Sequence, residues 1–384
     1  MTNPVDAAVE ALSSELRELA CALHDEPELA FEEHRSVERI AETLARHGVA
    51  VERPFGGLAT SFRARCGVGS GPRVAILAEY DALPEIGHAC GHNLIAAGAV
   101  GAFLGLASLG EHLGGTVELV GTPAEEGGGG KIRLLEAGAF EGVDAALMFH
   151  PFDRDLTMHD TLATAWLALE FRGKPSHAAI APAAGRSALT ACMDTFRLVD
   201  GQRIHMPDGS RVHGIITHGG DAVNIIVERA TAEFSVRAPT HDGIAPLREI
   251  VERCARGAAL ASGVEVTIEA RQGYRDMRNN AALAGRFGDH LRALGRAPRE
   301  RDPSVGTGST DMGDVSHAVP AIHPWIAICD EGEATCHQRA FARCARGERG
   351  LAAMVIAAKA IARTAHDFVA DEALRAAARR AFER

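Results

Sequence analysis

The spacing of apolar residues predicts two amphipathic helices at the start of the chain. Apolar residues recur at helical spacing from Val5 to about Leu23, and Pro27 limits that helix. A turn follows, and a second amphipathic helix is expected to run through about His47. We expect the charged residues of this region to form a solvated face.

Short apolar runs further along predict the strands of a buried sheet. A strand pair is expected near residues 59–64 and 73–78, with further strands at 116–120 and 145–149. Between them, residues 94–109 are rich in Ala and Gly, which predicts a helix packed closely on the sheet. This alternation of strands and helices is typical of an α/β domain.

The order of predicted strands and helices changes near Thr161. Strand, helix, strand, strand, helix and strand are predicted at residues 163–171, 186–199, 211–217, 228–237, 244–261 and 264–270. This is the split β-α-β-β-α-β pattern of a small antiparallel domain with helices on one face. The first domain resumes near Asn279 with a helix at 281–294, a strand at 323–328 and a helix at 347–365. We therefore expect one domain of residues 1–160 and 277–384, interrupted by a second of residues 161–276.

Composition narrows the class of protein. The 384 residues are 46% hydrophobic and 24% charged, as in a globular protein with two domains. The net charge of -11 argues against a nucleic-acid partner, because phosphates require a basic surface. No run approaches the roughly 18 apolar residues of a membrane span, and the N-terminal residues do not resemble a signal peptide. Eight cysteines without a framework spacing favour reduced thiols and a cytoplasmic location.

Side chains that can bind metals follow three of the predicted strands, where the strands end. In chain order they are Cys90 and His92, Glu125 and Glu126, and His150. Because open α/β sheets place their chemistry beyond the carboxyl ends of the strands, we expect these side chains to converge. Taken alone, the His-x-Cys-x-His cluster could be incidental, since Cys is often a small buried hydrophobe.

The glycine run that ends at Lys131 suggests a phosphate-binding loop, but the pattern fails. That motif needs Gly five positions before its last Gly and Ser or Thr after the Lys. Those positions hold Glu125 and Ile132, so nucleotide binding is not expected. What remains is a pair of adjacent acids at the end of a strand.

His337, late in the chain, completes a set of metal-type residues with Cys90, His92, Glu126 and His150. Two four-coordinate metals that each keep an open position need roughly six protein contacts, which five side chains supply if one thiolate bridges both ions. Thiolate and imidazole suit zinc, while the carboxylate also admits manganese, cobalt or nickel.

Several motifs resemble the M20 family of metallopeptidases and amidohydrolases, in the branch with a cysteine ligand. They cover nearly the whole chain and are Glu-Tyr-Asp-Ala-Leu-Pro at 79–84, His-Ala-Cys-Gly-His-Asn at 88–93, Gly-Thr-Pro-Ala-Glu-Glu at 121–126 and Gly-Ser-Thr-Asp at 308–311. Within the family they are most similar to dipeptidase-like and aminobenzoyl-glutamate-hydrolase-like proteins. The resemblance implies a phosphorylase/hydrolase-like α/β catalytic domain with a mixed sheet, interrupted by a ferredoxin-like α+β domain that serves as lid and dimerisation domain.

The resemblance also implies roles for the candidates, carried over position by position. Cys90 would bridge two divalent metal ions per subunit, with Glu126 and His337 completing one site and His92 and His150 the other. Glu125 would be the general base. Asp81 would orient a ligand, and His88, which no site needs, would be structural. Other branches have histidine where Glu79 stands, so the role of Glu79 remains open.

Further positions match lid and substrate-binding residues of the family. His177 corresponds to a lid histidine that reaches the partner's active site in family dimers and stabilises the oxyanion. Asn224 and Arg237 match residues that recognise a substrate carboxylate, although Arg237 could equally form a structural ion pair. His213, Thr310, His323 and Trp325 are further candidates for the lining of the pocket.

The expected protein is a homodimeric two-metal hydrolase that cleaves the amide bond of an N-acyl amino acid or an unusual dipeptide. An aminoacylase or aminobenzoyl-glutamate-type amidohydrolase is the alternative among enzymes. A non-catalytic binding subunit with the same fold is the alternative from another class. Retention of Glu125 and of all five ligand-type residues argues against this last alternative, because a binding protein would not need a general base.

Overall fold

The computed structural model of the chain describes residues 3–383. Its α-helices are α1 (Pro4–Ala11), α2 (Ser13–Asp25), α3 (His34–Arg46), α4 (His92–Ala107), α5 (Gly130–Glu136), α6 (Ala188–Gln202), α7 (Ile244–Ser262), α8 (Ala281–Ala293), α9 (Met312–Ala318), α10 (Arg339–Arg346), α11 (Glu348–Ala370) and α12 (Glu372–Phe382). Its strands are β1 (Val51–Glu52), β2 (Phe62–Gly67), β3 (Arg73–Ala78), β4 (Thr116–Gly121), β5 (Ala145–Leu147), β6 (His150–Phe152), β7 (Ala163–Arg172), β8 (Arg211–His218), β9 (Arg229–Ala238), β10 (Glu265–Gln272), β11 (Ala321–Ile322) and β12 (Trp325–Ala327).

These elements form two compact units. The first comprises the residues up to Asp160 together with those from Met277 onward, and the second is Thr161–Asp276. Among the described residues, no helix combines the length and the apolar character needed to cross a membrane.

The first unit is built on a mixed six-stranded sheet in the order β1-β2-β4-β3-β5-β11. Strand β3 lies between β4 and β5 and is parallel to both. Strand β4 lies between β2 and β3 in the sheet order and is antiparallel to β2. Strands β2 and β3 are therefore not neighbours, and the expected pairing of strands at 59–64 and 73–78 is wrong. The apolar runs indicated that both strands are buried, but burial does not specify which strands pair.

Helix α4 crosses the interior of this unit and is buried on all sides. Such burial accounts for a sequence that is apolar all round. Its glycines permit close contacts: a Cβ on Gly98 would lie 2.6 Å from Phe149, and one on Gly101 would lie 2.5 Å from Leu16. The predicted close packing of this helix is therefore confirmed, although the helix begins two residues earlier than expected.

The N-terminal helix is interrupted where one continuous helix was expected. Helix α1 ends at Ala11 and α2 begins at Ser13, and the backbone N–H of Leu12 donates to the carbonyls of Ala8 and Val9. The apolar spacing continues across the break because both helices bury one face, with Val9 and Leu16 fully buried. Periodicity alone therefore did not reveal the break.

The C-terminal region contains more helices than the one expected at 347–365. Helix α11 extends to Ala370, and α10 and α12 flank it. Asp371 separates α11 from α12, because its side chain accepts hydrogen bonds from the backbone N–H groups of Ala373 and Leu374.

The second unit has the expected split β-α-β-β-α-β order. Its four strands lie in the order β10-β7-β9-β8, and all neighbours are antiparallel. Residues Leu167, Leu169 and Phe171 of β7 alternate toward the buried face, where they join Cys192 of α6 and Leu247 of α7 in one core. The ferredoxin-like arrangement of this inserted unit is thus confirmed.

Candidate metal centre and active site

Three neighbouring strands bring the candidate residues to one edge of the sheet. Because β4, β3 and β5 are parallel, their carboxyl ends lie at the same edge. The segments that follow these strands carry five of the six predicted side chains, namely Cys90 and His92, Glu125 and Glu126, and His150, whereas His337 comes from the segment before α10.

A glycine lets the first segment present two donors in succession. Gly91 adopts φ 76°, in the left-handed region, and α4 begins at the next residue, His92. A Cβ on Gly91 would also lie 2.9 Å from the ring of Pro151, which follows His150. Glycine at this position therefore allows Cys90 and His92 to approach the His150 segment closely.

Two groups of donor atoms share the thiol of Cys90. The donor atoms of Cys90, His92 and Glu126 all lie within 4.8 Å of one another. Those of Cys90, His150 and Cys336 do so as well. The rings of His92 and His150 stand edge to face, with centroids 5.9 Å apart. Cys90 is thus central to both groups.

Asp81 links two of these donors. Its Oδ1 lies 3.0 Å from Nδ1 of His92, and its Oδ2 accepts the backbone N–H of Glu126 at 2.9 Å. With Nδ1 engaged by this carboxylate, the lone pair of neutral His92 lies on Nε2. Burial alone would raise the pKa of Asp81. The imidazole of His92 and the backbone N–H of Glu126 together have the larger effect, so the pKa of Asp81 lies below its ordinary value.

Hydrogen bonds to backbone carbonyls orient the His150 ring and hold the segment of His337 in place. Nδ1 of His150 lies 2.7 Å from the carbonyl oxygen of Pro151, which leaves its Nε2 as the potential donor to a metal. The N–H of His337 donates to the carbonyl of Ala89 at 3.0 Å, and His337 Nε2 lies 3.3 Å from Oε2 of Glu126. Anchoring to Ala89 holds the C-terminal segment beside Cys90.

Glu125 belongs to a cluster of buried carboxylates. Carboxylate oxygens of Glu125, Glu79 and Asp311 lie within 4.8 Å of one another, and all three residues are buried. Lys131 provides a cation, because its Nζ donates to Oε1 of Glu79 and, at 2.6 Å, to Oδ1 of Asp311. Burial and the nearby charges of Glu79 and Glu126 raise the pKa of Glu125 well above its ordinary value.

Several donor atoms in this region are buried without a hydrogen-bond partner among the described residues. They include Nε2 of His92 and Oε1 of Glu126. Buried polar atoms are normally satisfied, so such orphaned atoms call for an explanation. Thiol, imidazole and carboxylate groups with unused lone pairs fit a site for divalent metals of the zinc type.

The predicted lid and substrate-binding residues lie in the second unit. His177 is exposed, and its Nδ1 accepts the backbone N–H groups of Ala179 at 3.2 Å and Ile180 at 3.3 Å. The backbone oxygen of Asn224, also exposed, accepts the N–H of Ala178, so the His177 and Asn224 loops are paired. Arg237 is half-buried on β9, opposite Thr164 of β7.

Three residues near the site were not predicted to belong to it: Lys131, Asp311 and Cys336. In the sequence Lys131 ends a glycine run that fails as a phosphate motif, and Asp311 ends the Gly-Ser-Thr-Asp motif. The signal for Cys336 was its position directly before His337. His88, expected to be structural, is buried and its Nε2 lies 3.1 Å from the carbonyl oxygen of Leu23.

Comparison with known proteins identifies the family. The sequence matches the peptidase family M20/M25/M40 over residues 75–367. The chain belongs to the M20 family. It is therefore a metallo-hydrolase of the M20 type, and the resemblance inferred from the motifs is confirmed.

Two relatives represent different M20 activities. The Xaa-Arg dipeptidase of Mus musculus is 37% identical over 395 residues, which cover 99% of this chain and 90% of that protein. One subunit of the p-aminobenzoyl-glutamate hydrolase of Escherichia coli is 35% identical over 289 residues, or 70% of this chain and 59% of that one. The relatives of this M20 chain thus include a dipeptidase and an amidohydrolase.

A solved structure supports the same fold. The solved structure of a Bacillus subtilis protein, a dinuclear metal binding peptidase of the M20 family, superposes on this chain with a TM-score of 0.72 at 21% identity. The match covers 94% of this chain and 99% of that chain. The α/β fold with an inserted four-stranded antiparallel domain is therefore shared with known M20 structures.

Proposed function

We propose that the chain hydrolyses the amide bond of an unusual dipeptide or an N-acyl amino acid, with the aid of two divalent metal ions per subunit. The observation that carries this proposal is the arrangement around Cys90, whose thiol belongs to two groups of potential metal donors. The buried Glu125 lies beside one of them, with Oε2 3.9 Å from Nε2 of His92.

In this proposal Cys90, Glu126 and His337 would hold one ion, and Cys90, His92 and His150 would hold the other. The 3.3 Å separation of His337 and Glu126 supports the first pairing. Zinc and manganese are the proposed ions, and cobalt or nickel would also be accepted, because the site mixes thiolate, imidazole and carboxylate. When bound, the ions would supply Lewis acidity to the amide carbonyl and lower the pKa of the attacking water.

Glu125 is the proposed general base. It would take a proton from the attacking water and later deliver one to the leaving amine. The raised pKa of Glu125 suits the second step, since a carboxyl of ordinary pKa would hold the proton too weakly to donate it near neutral pH. Asp81 would keep His92 in the tautomer that presents Nε2 to the metal.

The second unit would contribute residues that contact the substrate. Because Nδ1 of His177 accepts backbone N–H groups, Nε2 is the ring nitrogen that carries a proton. That N–H would donate to the oxyanion of the tetrahedral intermediate in the active site of a partner subunit, the role that the family resemblance implies for His177. Asn224 and Arg237 are proposed to bind the carboxylate of the substrate, for which a guanidinium offers two parallel hydrogen bonds.

We also propose that the chain forms a homodimer through β8. This strand lies at the end of its sheet order, and its Ile215 and Ile216 are 62% and 41% exposed. Exposed apolar edge strands favour pairing with another chain. Ile215→Lys is expected to shift the mass measured by light scattering from dimer to monomer, whereas Ile204→Lys, at another exposed isoleucine, should leave the dimer intact.

The substrate is most directly tested with a panel. The long match to an Xaa-Arg dipeptidase favours dipeptides that end in a basic residue, and the match to the p-aminobenzoyl-glutamate hydrolase favours acyl glutamates. Protein loaded with zinc or manganese should release a free amino acid from at least one of these classes. Failure across both classes and simple N-acetyl amino acids would favour a non-catalytic binding protein instead.

A further inference from the structure

The thiol of Cys336 lies within the candidate metal centre. Cys336 is partly buried, and its sulfur, the sulfur of Cys90 and a ring nitrogen of His150 all lie within 4.8 Å of one another. The hydrogen bond from the next residue, His337, to Ala89 fixes this segment beside Cys90. The proximity of the two thiols is therefore built into the backbone.

This donor set has a specific chemistry. Two cysteines and one histidine are donors of a kind that binds zinc, and with His92, proposed above for the same ion, they would make a set of four to which water would add as a fifth ligand. Donors with bonds of about 2.0–2.3 Å to one tetrahedral ion lie about 3.3–3.8 Å from one another, so the observed group needs little movement to bind. Sulfur ligands favour zinc and cobalt over manganese, which prefers oxygen ligands.

We propose that Cys336 is a metal ligand, which binds one of the two ions together with Cys90 and His150. The proposal rests on the two-metal function proposed above and adds a second thiolate to it. The consequence is a centre that retains zinc or cobalt more tightly than manganese.

Cobalt provides a direct readout, because thiolate–cobalt bonds absorb in the near ultraviolet. Metal-free protein is titrated with Co²⁺, and zinc affinity is measured by competition with a chelator. The variants are Cys336→Ser, Cys90→Ser and Cys344→Ser. Cys344 is the matched control, since it is another partly buried thiol of the same C-terminal region.

If Cys90 bridges both ions and Cys336 binds one, the loaded protein has three sulfur–cobalt bonds. Cys336→Ser should then remove roughly a third of the near-ultraviolet absorption. It should also weaken zinc binding at one site by at least about 10-fold. Losing a residue that only orients a ligand already costs about that much, and losing a ligand should cost no less. Cys344→Ser should match the wild-type protein in both measurements.

A Cys336→Ser protein with wild-type absorption and zinc affinity would overturn this inference. If Cys90→Ser still abolished most of the absorption, the two-metal proposal would stand without Cys336. A wild-type protein that developed no thiolate–cobalt absorption would contradict both proposals.

Discussion

Nζ of Lys131 lies 2.6 Å from Oδ1 of Asp311, and neither side chain is exposed. Asp311 also accepts the backbone N–H of Lys131 through Oδ2 at 3.0 Å. The same ammonium binds Glu79, whose other oxygen lies 3.5 Å from Nε2 of His92. One buried cation therefore holds together the carboxylates that surround the proposed general base.

Replacing this cation is expected to destabilise the protein. Lys131→Met leaves Glu79 and Asp311 buried without their positive partner, which typically costs about 3–5 kcal/mol. Urea unfolding measures the loss. Lys359→Met is the matched control, because Lys359 pairs with the exposed Glu10. Surface pairs contribute about 0–1 kcal/mol, so equal losses in both variants would contradict a structural role for Lys131.

Asp81→Asn is expected to weaken metal binding without unfolding the protein. The amide cannot accept both the His92 and Glu126 N–H groups as a carboxylate does, and loss of such a partner typically costs about 10–100-fold in metal affinity. Chelator competition gives the affinity. Asp144→Asn makes the same change at a carboxylate that accepts the N–H of Arg73, at the start of β3. Wild-type zinc affinity in Asp81→Asn would show that Asp81 does not orient the ligand.

His159 should make stability depend on pH. Burial and the nearby His150 lower its pKa from 6.5 to about 3. Between these values the unfolded chain binds a proton that the folded chain does not, so the free energy of unfolding falls as pH falls. The contribution of His159 should decline by about 1.4 kcal/mol per pH unit below about 6.5.

The variant His159→Phe isolates the contribution of His159 to the pH dependence of stability. Phenylalanine keeps an aromatic ring at this position, where the ring centroid of His159 lies 4.1 Å from that of Trp325, but it does not titrate. Unfolding of the metal-free proteins is compared at pH 7.5 and 5.0. The stability of the variant relative to wild type should rise as pH falls. A difference that stays constant with pH would mean that folded His159 binds a proton as readily as the unfolded chain.

Much of the fold follows from local patterns. The alternation in the second unit predicted its β-α-β-β-α-β order, because each strand buries one face on α6 and α7. The apolar runs likewise located β3, β4 and β5. Strand order was less accessible: β4 separates β2 from β3, and no local signal distinguishes that arrangement from a direct pairing.

Some residues of the candidate site could likewise be predicted from local patterns, whereas others depend on long-range contacts. Cys90, Glu125 and His150 could be found because each follows a predicted strand of one parallel set. Lys131 and Asp311 are 180 positions apart in sequence, and only the folded chain brings them together. The proximity of Cys336 to Cys90 likewise depends on a long-range contact, the hydrogen bond from His337 to Ala89.

The central claim is that Glu125 transfers protons in a metal-dependent hydrolysis. Its most direct test is the turnover of Glu125→Gln, loaded with the same measured amount of zinc as wild type, on the best substrate of the panel. Loss of a general acid–base typically costs about 10²–10⁴-fold in kcat, and we expect a loss in that range with unchanged metal content. A fully metal-loaded Glu125→Gln protein that retained wild-type kcat would contradict the account.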